Sequence, residues 1–262
     1  MGSKPGWPTA PLGDNWIQLP GGTLFYRSNS SLPPPDSPAI VLVHGLVVSS
    51  TYMVPIGEYL APCLRVFAPD LPGFGRSYKP WPVLDVPQLA DVLVRWMDAI
   101  KLEKAHFLGN SFGCQILTEF AIRHPERVDR LILQAPTVDP KSRSLGRQWW
   151  RMMRDSAKEP PGLALISLKD YAAAGISRAL ATVRIVLADR IEERLPLVQP
   201  PTLVVIGARD PLVPVPWAEE VTRLLPQGQL RVVPGYGHVL NYAAPLELFR
   251  VIAPFLGIAG QG

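Results

Sequence analysis

The chain has 262 residues, 47% of them hydrophobic and 18% charged, and its formal net charge is +4. This composition excludes a disordered chain, and so small a charge does not indicate nucleic acid as a partner. Two cysteines are too few for a disulfide framework, and no apolar run is long enough for a membrane span or a signal peptide. We therefore expect a globular, cytoplasmic protein.

Short apolar runs alternate with stretches of helical periodicity along most of the chain. Apolar runs bounded by turn residues are typical of strands buried on both faces of a parallel sheet, and apolar residues three and four apart are typical of helices. The predicted elements in chain order are a hairpin over 15–27, strands over 39–45 and 64–70, a helix over 85–100, a strand over 105–110, a helix over 112–124, strands over 130–136, 201–210 and 229–235, and a helix over 245–256. The alternation predicts an α/β fold, with a mostly parallel central sheet flanked by helices on both faces.

Residues 137–200 break this alternation, because they contain helical stretches at 143–157 and 176–195 and no predicted strand. We interpret the segment as a helical insertion that divides the core into residues 1–136 and 201–262. The segment holds 11 Lys and Arg residues and 7 Asp and Glu residues, so its excess of positive charge equals that of the whole chain.

A serine lies between two glycines at the junction of a predicted strand and a predicted helix, in the stretch Gly109-Asn110-Ser111-Phe112-Gly113. In that context the pattern is typical of a nucleophile elbow, a strained turn that exposes the serine hydroxyl at the carboxyl end of the sheet. The alternative is a glycine-flanked turn with an incidental serine. We take Ser111 as the candidate nucleophile.

A serine nucleophile needs a base, and the chain offers four histidines. His106 opens a strand at the end opposite the elbow, and His124 is expected to end a helix. His44 precedes a glycine at the end of a strand, where we expect it to position the loop. His238 lies in a glycine-rich loop between the last strand and the last helix, and is the candidate base.

A histidine base needs an acid that sets its tautomer. Asp210 follows the strand over 201–210 at the carboxyl edge of the sheet, and it is the favoured acid. Asp139, at the start of the insertion, is the rival. With Asp210 the triad has the chain order Ser-Asp-His, which is the order expected on this architecture.

An oxyanion hole needs two N–H donors. The residue after the nucleophile, Phe112, is one candidate. The other is Leu46, in the loop after the first buried parallel strand.

Six fragments of the chain, taken together, resemble the α/β-hydrolase superfamily over essentially its whole length: "VLVHGL", "FAPDLPGFGRS", "LGNSFGCQ", "HPERVDRLIL", "VVIGARDPLVP" and "GYGHVLNYAAP". The resemblance implies that the insertion at 137–200 is a helical cap. It also implies a serine hydrolase that uses no metal and no cofactor. A serine at the elbow argues against the haloalkane dehalogenase and epoxide hydrolase branches, which use an aspartate there.

Within this family we expect a carboxylesterase that cleaves small to medium acyl esters, with a small-molecule ester as its partner; the oligomeric state stays open. One alternative is a carbon–carbon bond hydrolase of ring-fission diketones, because "GNSFG" resembles the elbow of that branch. Val239 stands where that branch is expected to carry a tryptophan. The other alternative is a catalytically silent ligand-binding receptor on the same fold.

A cap over the elbow would need large apolar side chains to line an acyl pocket and exclude water. Five residues are the candidates: Trp149, Trp150, Met152, Met153 and Val239. For the four in the insertion, the alternative is that they only pack the cap against the core.

Overall fold

Eight strands form one sheet in the computed structural model, which describes residues 7–29, 33–34, 36–144 and 161–258. The strands are β1 (Gly13–Leu19), β2 (Gly22–Ser28), β3 (Ala39–Val43), β4 (Arg65–Pro69), β5 (Ala105–Asn110), β6 (Val128–Gln134), β7 (Thr202–Gly207) and β8 (Gly228–Val233). Their order across the sheet is β1-β2-β4-β3-β5-β6-β7-β8. β1 and β2 form the predicted antiparallel hairpin, β2 runs antiparallel to β4, and the pairs from β4 to β8 are parallel. The predicted mostly parallel sheet is confirmed.

Helices cover both faces of the sheet. Within the described residues they are α1 (Val54–Leu60), α2 (Val86–Ala99), α3 (Phe112–Arg123), α4 (Pro161–Ala174), α5 (Ile176–Ala188), α6 (Ile191–Arg194), α7 (Val215–Leu224), α8 (Leu240–Ala243) and α9 (Pro245–Leu256). The core on one face contains buried residues of α2, α3 and α7, and the core on the other contains those of α1 and α9. In β3, Val41 and Val43 belong to the first core, while Ile40 and Leu42 belong to the second. This two-sided burial explains why the parallel strands are continuously apolar.

The structure confirms several predicted helix boundaries and corrects one. Asp85 caps α2 in a reciprocal capping box with Gln88, and His124 is the C-terminal cap of α3. The helix predicted over 176–195 is wrong as one element, because the backbone of Asp189 is extended and separates α5 from α6. The Asp189 carboxylate instead lies 2.5 Å from the Arg194 guanidinium, across the break. The helix predicted over 143–157 lies mainly outside the described residues.

The described part of the segment between β6 and β7 is mainly helical, and several hydrogen bonds and an ion pair tie it to the core. Arg178 of α5 donates to the carbonyl of Pro80 (2.9 Å), and Arg194 forms an ion pair with Glu119 of α3 (2.5 Å). The Gln115 amide of α3 donates to the carbonyl of Val186 (3.1 Å). In the described ranges no single helix has the length and apolarity of a membrane span. The helical segments 168–174 and 176–188 have that length and apolarity only when taken together, and they are bent by 98° where they meet.

Candidate active site

Ser111 occupies a strained corner between β5 and α3. Its backbone has φ 54° and ψ −113°, a conformation that L-residues rarely adopt, and its N–H donates to the carbonyl of Gln134 (3.0 Å). Gly113 is required by close approach: a Cβ there would lie 2.5 Å from the carbonyl oxygen of Val43. The first turn of α3 can therefore press against the carboxyl end of β3, which is the packing expected of a nucleophile elbow.

Cys114, three residues after Ser111, has a fully buried thiol. Its Sγ lies 3.2 Å from the carbonyl oxygen of Gly109 and 3.3 Å from that of Gln134, and the two carbonyls share its one S–H. Burial raises the pKa of the Cys114 thiol well above its usual value. Because the thiolate is the reactive form, burial disfavours reaction at this cysteine.

His238 and Asp210 lie against each other at the carboxyl end of the sheet. Nδ1 of His238 is 2.8 Å from Oδ2 of Asp210, and the two side chains are 8% and 0% exposed. A carboxylate can only accept, so the proton is on Nδ1, and the lone pair of a neutral ring is on Nε2. The other carboxylate oxygen accepts the N–H groups of Leu212 (2.7 Å) and Val213 (2.9 Å). These bonds hold the carboxylate in one orientation.

The loop that carries His238 packs directly on the end of β7. A Cβ on Gly207 would lie 2.3 Å from the carbonyl oxygens of Tyr236 and Gly237, so only glycine fits there. The N–H of Arg209 donates to the carbonyl of Tyr236 (2.8 Å). The segment with the acid and the segment with the base are thus joined through their backbones as well as through their side chains.

Leu46 and Phe112, the two predicted oxyanion donors, belong to segments in contact. β3 and β5 are in register with Val43 opposite Gly109, and a Cβ on Gly45 would lie 3.4 Å from Cβ of Ser111. Phe112 is the first residue of α3, where backbone N–H groups have no partner inside the helix.

His44 holds this loop, as its position in the sequence predicts. Its Nε2 accepts the N–H of Leu71 (3.0 Å), so the proton is on Nδ1, which donates to the carbonyl of Gly45 (3.0 Å). His44 is fully buried, and this burial lowers its pKa, with Asp70 opposing the shift. The neutral ring therefore connects the end of β3 to the segment after β4.

Asp139, the rival acid, serves a different purpose in the structure. Its carboxylate accepts the N–H of Lys141 (2.9 Å) and the hydroxyl of Ser142 (3.2 Å), and so caps a short 3-10 turn. Val239, a predicted pocket residue, packs in the core beneath α1 and α9. The remaining predicted pocket residues lie outside the described residues; they are Trp149, Trp150, Met152 and Met153.

Two buried amides at this site were not singled out from the sequence. Gln134 ends β6 after the apolar run Leu131–Leu133, and Asn241 lies three residues after His238; both side chains are fully buried. A polar residue directly after that apolar run was the available signal in the fragment "LILQAP". Over the described ranges, no group of three or more His, Cys, Asp or Glu side chains is arranged to hold a metal ion.

Comparisons with known proteins agree with the fold. Residues 38–164 match a family model described as the alpha/beta hydrolase fold, and residues 186–244 match one described as TAP-like protein. A Caenorhabditis elegans protein, abhydrolase domain-containing protein abhd-5.2, is 38% identical over 101 residues, which are 37% of this chain and 23% of that protein. The chain also covers 63% of the dihydrolipoyllysine-residue acetyltransferase component of the acetoin cleaving system from Pseudomonas putida, at 28% identity over 83% of this chain.

One further relative aligns over nearly its whole length, and another has a higher identity over a short stretch. RutD of Caulobacter sp. (strain K31), whose provisional name is carbamate hydrolase, is 26% identical over 88% of this chain and 95% of its own length. The 2-hydroxymuconate semialdehyde hydrolase of Pseudomonas sp. (strain CF600) is 47% identical over 78 residues, 28% of this chain and 26% of that one. Among solved structures, the enol-lactonase from Burkholderia xenovorans LB400 shares the fold with a TM-score of 0.78 at 22% identity, covering 93% of this chain and 100% of its own.

Proposed function

Because the chain belongs to the α/β-hydrolase superfamily, we propose that it is a serine hydrolase, a carboxylesterase acting on small to medium acyl esters. The observation that carries the proposal is the Asp210–His238 pair at 2.8 Å, together with the strained turn at Ser111. Gln134 brings the two together, since its carbonyl accepts the N–H of Ser111 and its side chain donates to the carbonyl of His238.

The proposed reaction follows from these groups. Nε2 of His238 takes the proton of Ser111 as Oγ attacks the ester carbonyl, and Asp210 stabilises the imidazolium that forms. The backbone N–H groups of Leu46 and Phe112 stabilise the oxyanion of the tetrahedral intermediate. The imidazolium then protonates the leaving alcohol, and water, activated by the same histidine, releases the acid from the acyl-enzyme.

We assign residues 137–200 the role of a cap over this site. The support is its position between β6 and β7, directly after the strand that neighbours the elbow strand, and its ties to Pro80 and to α3. Under this proposal Trp149, Trp150, Met152 and Met153 select the acyl chain. The cytoplasmic location stays a prediction.

Carbon–carbon bond hydrolysis of ring-fission diketones is the second candidate. The local 47% identity to 2-hydroxymuconate semialdehyde hydrolase favours it. The same triad would serve either reaction, so the difference lies in the substrate pocket rather than in the catalytic groups.

One experiment separates the candidates. One portion of the protein is treated with a fluorophosphonate probe, and a separate, untreated portion is assayed on aryl esters from acetate to decanoate and on a ring-fission diketone. We expect labelling at Ser111 and the highest kcat/KM on a short or medium ester. A higher kcat/KM on the diketone would replace the esterase proposal with the second candidate. A folded protein that resists the probe would favour a silent receptor.

A further inference from the structure

Two buried side-chain amides, those of Gln134 and Asn241, connect the turn at Ser111, the loop that carries His238 and the segment that follows Leu46. We call this pair of amides the relay. Nε2 of Gln134 donates to the carbonyl of His238 (3.2 Å) and to Oδ1 of Asn241 (2.9 Å). Nδ2 of Asn241 in turn donates to the carbonyl of Tyr52 (2.9 Å), in the turn that follows the Leu46 loop. Gln134 and Asn241 are both 0% exposed.

The direction of these hydrogen bonds is fixed by the backbone. The carbonyls of His238 and Tyr52 can only accept, so the NH₂ group of Gln134 must face His238 and that of Asn241 must face Tyr52. Oδ1 of Asn241 is then left to accept the second N–H of Gln134. Neither amide can flip without placing two acceptors against each other, so the relay has one arrangement.

The nucleophile is attached to the same relay. The backbone carbonyl of Gln134 accepts the N–H of Ser111 (3.0 Å), and Gln134 pairs with Asn110 across β5 and β6. At the far end, the rings of Tyr52 and Tyr242 stack with their planes 5° apart, beside Asn241. One residue, Gln134, thus contacts the elbow through its backbone and the base loop through its side chain.

One acceptor of the relay is unsatisfied. Oε1 of Gln134 is buried and has no hydrogen-bond partner in the described structure. A buried acceptor without a partner is destabilising, and an apolar side chain of the same shape would avoid it. The amide at this position is therefore explained by the two hydrogen bonds that its NH₂ group donates rather than by packing.

We propose that Gln134 and Asn241 are positioning residues of the active site, which set Ser111, His238 and the oxyanion loop relative to one another. The expected effect on catalysis rests on the proposed serine-hydrolase function. The hydrogen-bonded connection between the segments does not depend on that function. Neither side chain is assigned contact with substrate.

The test compares Gln134→Met and Asn241→Leu, which keep volume and remove the amides, with the double variant. Gln115→Met is the matched control. Gln115 is also fully buried, donates to two backbone carbonyls (Thr137 and Val186, both 3.1 Å) and has an unpaired Oε1. It does not join the three site segments.

The first readout is hydrogen exchange, which needs no activity. We expect faster amide exchange over residues 235–243 in Gln134→Met and in Asn241→Leu, and no change there in Gln115→Met. The second readout is ester hydrolysis. We expect kcat to fall by about 10- to 100-fold, with KM changed less than about threefold, because small misplacements of reacting groups act on the chemical step.

The double variant is the sharpest measurement. If the two amides act as one unit, it loses no more kcat than the worse single variant. Fully multiplicative losses, or unchanged exchange over 235–243, would overturn the proposal. So would unchanged kcat in variants of an enzyme whose serine reacts with the probe. If the wild-type protein fails to react with the probe, only the serine-hydrolase proposal is refuted. The exchange data still test the hydrogen-bonded connection between the segments.

Discussion

Oδ2 of Asp210 lies 2.8 Å from Nδ1 of His238, although 28 residues separate them in the chain. The acid follows β7 and the base follows β8, two neighbouring parallel strands, so the sheet itself brings them to one edge. The pair is buried, which would strengthen the interaction between the carboxylate and the imidazolium of the proposed mechanism.

Replacing the nucleophile should separate activity from folding. We expect Ser111→Ala to lose ester hydrolysis by about 10⁴-fold or more while the melting temperature stays near that of the wild type. Under the proposed mechanism the hydroxyl contributes to the reaction, whereas the turn is held by the backbone of Ser111 and the glycines around it. Steady-state assays and thermal melts check this. Comparable turnover by a folded, purified variant would refute the assignment.

The two acids should differ sharply. Asp210→Asn removes the group that sets the tautomer of His238, so we expect kcat to fall by about 10⁴-fold. Asp139→Asn only weakens the cap of a 3-10 turn, so its kcat should stay within about threefold of the wild type. Both variants are measured on one ester. If Asp139→Asn is the more damaged, the acid is Asp139.

The elbow should not tolerate a methyl group at Gly113. A Cβ there lies 2.5 Å from the carbonyl oxygen of Val43 and 2.9 Å from that of His44, and backbone cannot move aside as a side chain can. We expect Gly113→Ala to lower the free energy of unfolding by about 1–3 kcal/mol or more. Gly13→Ala is the comparison variant, because a Cβ there would lie 3.7 Å from its nearest neighbour, the carbonyl oxygen of Ser28, and Gly13 is not among the glycines with positive φ. Urea unfolding of both variants gives the two values, and equal losses would contradict the close approach.

His44 should make stability depend on pH in a defined direction. Burial lowers its folded-state pKa, whereas in the unfolded chain it titrates near about 6.5. Below about pH 6.5 the unfolded chain therefore binds a proton that the folded protein does not. The contribution of neutral His44 to stability is complete above that pH and is lost as pH falls towards the folded-state pKa.

The measurement is urea unfolding of wild type and His44→Gln at pH 7.5, 6.5 and 5.5. We expect the wild type to lose up to about 1.4 kcal/mol more per pH unit than the variant between pH 6.5 and 5.5. Burial lowers the pKa of His106 in the same direction, so His106→Gln is a parallel measurement. Identical pH slopes in wild type and His44→Gln would show that His44 is not buried in its neutral form.

The sequence by itself determined the α/β class and the approximate strand positions, and it indicated the candidate nucleophile and the candidate base. Apolar runs such as that over 39–45 indicate strands buried on both faces of the sheet. The glycines on either side of Ser111 indicate a turn in which the backbone packs too tightly for side chains at those positions. These are local signals, because periodicity and turn chemistry act over a few residues.

Only the tertiary structure decided which acid pairs with His238 and which side chains hold the site together. Asp139 and Asp210 both follow strands, and their difference is a distance, which no local pattern contains. The relay through Gln134 and Asn241 joins residues 107 positions apart, so it exists only once the sheet has placed their segments side by side. Hydrogen bonds between distant segments depend on that packing, and each partner alone looks like an ordinary buried amide.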